Sequence, residues 1–229
     1  VTVPQKIPYI NGLFFAIAII LAVTGFITLF LKEVKIESYE QNADQSPKQN
    51  APVHVLKNKK LILGFIAILI ALGAESGIFG LYRNYIEDPS VAAMSSHQSY
   101  ILYTIYFAMF AMGRLVGAWV QKKIKPAVTL TYCVITAMVL LLVMMTTKGT
   151  IAVTSITLLG FFISIFFPTL YALSIEGLGK NTAIASGLLT MGFLGAALLP
   201  VLQGKLADWI GLKYSFLICM VTYSYVLYF

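Results

Sequence analysis

The sequence predicts an all-α integral membrane protein of about seven transmembrane helices. Three observations carry this: the composition, the segregation of the charges, and the length of the runs between them. Apolar residues make up 59% and charged residues 11% of the 229 residues, against about 45–50% and 25% in soluble domains. The charges gather in a few loops. Each uncharged run between them is about 20 residues long, the length that crosses a bilayer as a helix. The net charge of +7 comes from those basic loops and gives no ground for expecting nucleic acid.

The runs fall at roughly 10–31, 61–81, 100–120, 126–146, 151–173, 182–202 and 211–229. No signal-peptide pattern precedes the first of them. Segment 32–60 follows it and is the long polar stretch of the chain, with charges of both signs and few large apolar residues. It reads as a flexible linker, a connector rather than a docking loop. Pro126 opens the fourth run, where a first-turn proline is tolerated. Pro168 and Pro200 fall inside the fifth and sixth and are expected to kink them. The last run stops at Phe229 without a polar tail. An odd number of spans with abrupt ends predicts a piece of a larger protein.

Lys and Arg set the orientation. With 32–60 placed in the cytoplasm, ten fall inside, among them Lys57, Lys59, Lys60, Lys122, Lys123, Lys125 and Lys180. Five fall outside: Lys6, Arg83, Lys148, Lys205 and Lys213. Segment 32–60 and the turn 121–125 are therefore expected to be cytoplasmic, and 83–99 external.

Polar groups inside the runs carry more chemical information. Glu75, in LGAESGIFG, lies about 21 Å from Leu61 at roughly 1.5 Å per residue, somewhat outside the middle of a hydrocarbon core of about 30 Å. An ionisable residue there costs on the order of 3 kcal/mol or more and usually faces a cavity or pathway. Two functional roles fit: a carboxylate that accepts hydrogen bonds from a bound ligand, the favoured one, or a carboxyl that takes up and releases a proton. A cap on a polar group across a helix contact is the structural alternative. Arg114 lies about six residues from the inner end of its run and Glu176 just beyond the inner end of another, so a pair between them is one reading, separate snorkelling the other. Gly73 and Gly77 bracket Glu75, and Gly113 and Gly117 flank Arg114. Each G-x-x-x-G puts two glycines on one face and lets helices approach closely.

A faint internal repeat joins AMGRLVGA (111–118) to TMGFLGAA (190–197). If runs two to four and five to seven form triplets, these are the middle helices. Three spans reverse the chain, so two successive triplets are inverted, as in many transporters. Cys133 and Cys219 lie in spans without metal-ligand spacing and read as free buried thiols. His54 and His97 lie in polar segments. No pattern of nucleophile, histidine and acid is found, and no metal or cofactor is called for.

The stretch from Leu158 to Phe216, with FFPTLYALSIEGLG, GFLGAALLP and LQGKLADWIG, resembles the L-fucose permease and glucose/galactose transporter group of the major facilitator superfamily. GRLVGAWVQKKIKP is similar to the end of that group's eighth helix, LGAESG to its seventh, and KIPYI to the approach to its sixth. The sequence departs from the group where GAESGIFG stands for the common GAEVSIGS. The resemblance implies the last helix of an N-terminal half at 1–31, the central cytoplasmic linker at 32–60, and the C-terminal six-helix bundle at 61–229. It implies a multi-pass protein of the bacterial inner membrane that carries a monosaccharide, with H⁺ as coupling ion, by alternating access. It also implies that the five preceding helices, with half of the cavity, are partners this chain lacks.

A sugar site needs hydrogen-bonding groups and flat rings. Tyr100, Tyr103, Phe107 and Phe110 run down one face of the third run, Phe166, Phe167 and Tyr171 surround Pro168, and Thr169 and Thr190 add hydroxyls. Packing between helices or a place in the interfacial belt is the commoner role for any one such ring. Glu75, Tyr103, Tyr171 and Thr169 form the expected substrate set. Arg114, Glu176, Gly113, Gly117 and Asp208 form the expected gating and structural set. An intramembrane enzyme lacks a catalytic pair, and a non-transporting or inactive membrane subunit is the other alternative.

Overall fold

In the computed structural model the chain divides into two compact units, 1–49 and 50–229. The described residues are 58–229 together with Ala18, Ile19, Ala22, Val23 and Phe26, which are helical. Most of the expected helix at 1–31 and of the linker at 32–60 lies outside the described residues. The second unit, as described, consists of helices and turns.

Helix α1 is Lys59–Glu87, α2 Ser96–Val120 and α3 Pro126–Thr146. Helices α4 (Gly149–Ile163) and α5 (Phe166–Ile175) make up one span. Helices α6 (Thr182–Thr190) and α7 (Leu194–Ile210), joined by a 3₁₀ turn at Met191–Phe193, make up the next. The run 211–229 folds as α8 (Leu212–Ser215) and α9 (Leu217–Tyr228). Among the described residues, five spans are long and apolar enough to cross a membrane. The chain is thus a multi-pass membrane protein. The run 211–229, expected as one helix, is instead two, the longer of 12 residues.

The helix ends follow local chemistry. Asn58 caps α1, its side-chain oxygen accepting from the Leu61 amide at 3.3 Å. Ser95 and Gln98 form a reciprocal capping box at the start of α2. Pro126 occupies the first turn of α3, as expected. Gly211 ends α7 with φ +88°, a conformation that a residue with a Cβ adopts only under strain. Helix α1 runs six residues past the expected outer end. Tyr82, Tyr85 and Ile86 are fully buried there, and Arg83 and Glu87 pair at 2.7 Å one turn apart, so the charges that ended the apolar run do not end the helix.

The two prolines act differently. Pro168 has no amide hydrogen for the carbonyl four residues back, that of Ser164. The span breaks at Ser164–Ile165 and resumes as α5. The released Ser164 carbonyl accepts instead from Arg114 Nε at 3.4 Å. Pro200, expected to kink its span, lies inside α7, which continues through it as one helix. The irregularity sits earlier, at the 3₁₀ turn Met191–Phe193.

Helix α1 is the hub, packed against α7, α5 and α9. The pairing has the symmetry expected of inverted triplets. The first span of each triplet packs on the middle span of the other, α1 on α6–α7 and α4 on α2. The last span of each packs on the first of the other, α3 on α4 and α9 on α1. The glycines of the sequence repeat occupy matching contacts. A Cβ on Gly113 would meet the Phe161 carbonyl on α4, and a Cβ on Gly192 would meet Ile68 and the Leu69 amide on α1.

Candidate functional site at the middle of α1

Helix geometry explains which way Glu75 faces. Successive residues turn by about 100°, so Gly73 and Gly77 share a face and Glu75 lies about 200° round from Gly73. The glycine face meets α7: a Cβ on Gly73 would touch the Gly195 carbonyl and Leu199, and one on Gly77 would overlap Gln203 Oε1. Glu75 is turned away from that contact. It keeps only 8% of its surface exposed, and among the described residues no hydrogen bond to its carboxylate is formed.

Three helices bring polar groups to this level. Tyr106 on α2, Gln203 on α7 and Tyr223 on α9 are each fully buried. Among the described residues, the Tyr106 and Tyr223 hydroxyls and the Gln203 amide nitrogen have no hydrogen-bond partner. The Tyr106 ring lies over Gly160 of α4, where a Cβ would touch it, and Tyr223 packs edge-on against Phe166 at 5.1 Å. Cys219, one turn from Tyr223, has its sulfur 3.9 Å from the Ala74 carbonyl and 4.0 Å from Gln203 Oε1. Glu75, Tyr106, Cys219 and Tyr223 share one electrostatic neighbourhood, and Arg114 is the cation whose field reaches Glu75. A buried carboxylate that shares its neighbourhood with two unpartnered phenols is costly. It is suited to a ligand rich in hydroxyls, each of which both donates and accepts.

The other expected residues are distributed around this cluster. Tyr103 donates to the Phe79 carbonyl at 3.2 Å and packs against Tyr82 and Phe107. Phe107, Phe110 and Tyr106 gather round Phe79 of α1, with ring centroids 5.3–5.6 Å apart. The aromatic face of α2 is thus largely helix packing. The Thr169 hydroxyl is occupied by Gln121 Nε2 at 2.7 Å, and Thr190 bonds within its own helix, to the Ser186 carbonyl. Tyr171 is half-buried beside Phe167, at 5.8 Å. Arg114 also stacks on Phe110 at 4.7 Å and lines a cavity of ≈ 350 Å³ with Gln121, Phe167 and Pro168.

Arg114 and Glu176 do not pair in this structure. Glu176 bonds to Lys60 at 2.9 Å, both well exposed, because the end of α5 and the start of α1 meet at one end of the bundle. Arg114, itself exposed, is taken by the Ser164 carbonyl instead. Asp208 is exposed near the end of α7. Gly113 and Gly117 seat α2 on the α4–α5 span, against Phe161, Ser164 and Ile165.

The sequence reading did not select Tyr106, Gln203 or Tyr223. Tyr106 stands between the ring positions named on the third run. Gln203 falls just past the expected end of the sixth run at 202, because Lys205 seemed to close it; α7 in fact continues to Ile210.

The sequence profile of the Major Facilitator Superfamily matches residues 7–193. The chain belongs to this superfamily. Over 171 residues it is 33% identical to a glucose/galactose transporter of Brucella abortus, covering 75% of this chain and 42% of that protein. Over 190 residues it is 29% identical to a putative glucose/galactose transporter of Helicobacter pylori, covering 81% of this chain and 46% of the relative. An L-fucose-proton symporter of Escherichia coli is 24% identical over 195 residues, 83% of this chain and 44% of the symporter. The fold matches the crystal structure of the superfamily transporter FucP in the outward conformation, with a TM-score of 0.83 and 20% identity over all of this chain and 57% of that one. The chain spans less than half the length of the curated relatives it matches.

Proposed function

We propose that this chain works as part of a monosaccharide carrier of the glucose, galactose or fucose type, coupled to H⁺ and operating by alternating access. In this reading 61–229 is the C-terminal bundle, 1–31 the last helix of the other half and 32–60 the cytoplasmic linker, in the inner membrane of a bacterium. The observation that carries it is the buried Glu75 in one electrostatic neighbourhood with the Tyr106 and Tyr223 phenols, whose hydroxyls have no hydrogen-bond partner among the described residues. The names of the relatives support the substrate class, and they are transporters rather than enzymes. Glu75 accepts sugar hydroxyls, with the two phenols as further contacts. Arg114 and the Gly113/Gly117 contact belong to the inner gate, with Glu176 paired to Lys60 in the present state.

Counterflow of radiolabelled glucose, galactose and fucose in proteoliposomes tests this, using the carrier expressed from its complete reading frame. Glu75→Gln should abolish counterflow or weaken sugar affinity about 10–100-fold, the loss of one hydrogen bond to a charged group, while expression and folding stay near normal. Unchanged affinity and unchanged pH dependence would make Glu75 structural. No counterflow of any of the three sugars by the unaltered carrier would favour a non-transporting subunit.

A further inference from the structure

A second cavity lies away from the Glu75 cluster, between α2, α3 and α4. It has a volume of ≈ 250 Å³, and its walls include Val116, Val120, Ile124, Cys133, Phe161 and Ile165. The lining Thr129 hydroxyl is spent on the Lys125 carbonyl at 3.4 Å, so a water inside would find few partners. The volume is below the roughly 300–1,000 Å³ of drug-sized ligand sites and suits a narrow apolar chain.

The mouth of this slot is strongly basic. Ile124, one of its walls, stands between Lys123 and Lys125, with Lys122 beside them, and all three lysines are exposed. Lys123 stacks over Trp119 at 4.3 Å, and Trp119 is itself exposed, in the position of an interfacial anchor. Between Asp88 and Glu176 the chain has no Asp or Glu, and among the described residues none of the three lysines has an ion-pair partner. A basic cluster at a membrane surface attracts anionic headgroups, and one between helices binds them specifically.

We propose that this slot holds an acyl chain of an anionic phospholipid whose phosphate lies on Lys122, Lys123 and Lys125. The occupant is a lipid rather than a soluble anion, because the apolar slot and the lysine cluster are continuous and Trp119 marks the headgroup level between them. The chain would fill the space beside Gly113 and Gly117, where α2 meets the α4–α5 span.

Native mass spectrometry of the complete chain in detergent, with phosphatidylglycerol or phosphatidylcholine of the same acyl composition, tests both halves of the site. Phosphatidylglycerol should be retained about tenfold better. The triple variant Lys122→Gln, Lys123→Gln, Lys125→Gln should bring the two lipids to parity, and Cys133→Phe, which fills the slot, should weaken both. A measurement on the unaltered chain needs no substitution. Cys133 is half-buried and Cys219 fully buried, so an apolar maleimide reports on Cys133, and phosphatidylglycerol should slow its labelling several-fold while inorganic phosphate does not. Equal retention of the two lipids, a preference that survives the lysine substitutions, or a labelling rate indifferent to phosphatidylglycerol would each overturn the proposal.

Discussion

Glu75 is held away from the α1–α7 contact by two glycines that bracket it, and its neighbours come from helices distant in sequence. Tyr106 and Tyr223 keep buried hydroxyls without partners among the described residues. Removing such a hydroxyl deletes an unmet demand rather than a bond. Tyr106→Phe and Tyr223→Phe should therefore leave thermal stability unchanged or raise it by up to about 1 kcal/mol. If the hydroxyls serve the sugar, affinity in counterflow falls in the same variants. A loss of stability with unchanged affinity would assign them to packing. The Arg114 contact is equally specific. It exists because Pro168 leaves the Ser164 carbonyl free. Pro168→Ala restores an amide hydrogen four residues on, so Arg114→Leu should cost less in that background than in the parent. A double-mutant cycle read by thermal unfolding should give a coupling of about 0.5–1.5 kcal/mol, and strict additivity would show that the guanidinium does not serve the broken turn.

At the scale of the element, the glycines sort into two groups. Gly113, Gly192 and Gly195 sit where a Cβ would meet the backbone or a side chain of a facing helix, whereas Gly80 and Gly204 have open space. Alanine at any of the first three should destabilise by about 1–3 kcal/mol, as overpacking does. At Gly80 or Gly204 it should be neutral or stabilise by up to about 1 kcal/mol through helix propensity. Thermal melting in one detergent compares the five directly, and a uniform response would refute the matched contacts. Much of this level was legible in the sequence: spans follow from apolar runs of fixed length, and glycine faces follow from spacing. The interruptions were less so. Pro168 marks a bond lost four residues upstream, which places the break at Ser164, while the 3₁₀ turn at Met191–Phe193 has no proline to announce it. The site was legible only at Glu75. Its companions depend on which helices meet, and Gln203 was hidden because a lysine two residues later ended the apolar run. A pair of Arg114 with Glu176 stood as one of two readings because sequence shows charges and does not show a carbonyl freed by a proline elsewhere.

At the scale of the whole molecule, contacts sort to two ends. Lys60–Glu176 and Tyr225 with the Leu63 carbonyl close one end. Lys213 with the Thr147 carbonyl and Gly149 with the Val91 carbonyl close the other. The basic turn 121–125 is expected to face the cytoplasm. In a Cys133→Ala background, a membrane-impermeant maleimide added to intact cells should label His97→Cys and spare Lys123→Cys; the reverse pattern would invert the topology. The depth of Glu75 then has an electrical consequence. At about 21 Å from the inner end of a core of about 30 Å, it lies roughly 30% of the way into the transmembrane field from outside. A full crossing of one charge is worth about 2.3 kcal/mol per 100 mV, so a proton reaching Glu75 from outside would gain about 0.7 kcal/mol, roughly a threefold change in apparent external proton affinity per 100 mV. A neutral sugar that only hydrogen-bonds to the carboxylate would cross no potential on binding. Voltage thus separates the two roles open to Glu75: transport currents whose half-saturating proton concentration is flat with potential would leave this residue to the sugar alone.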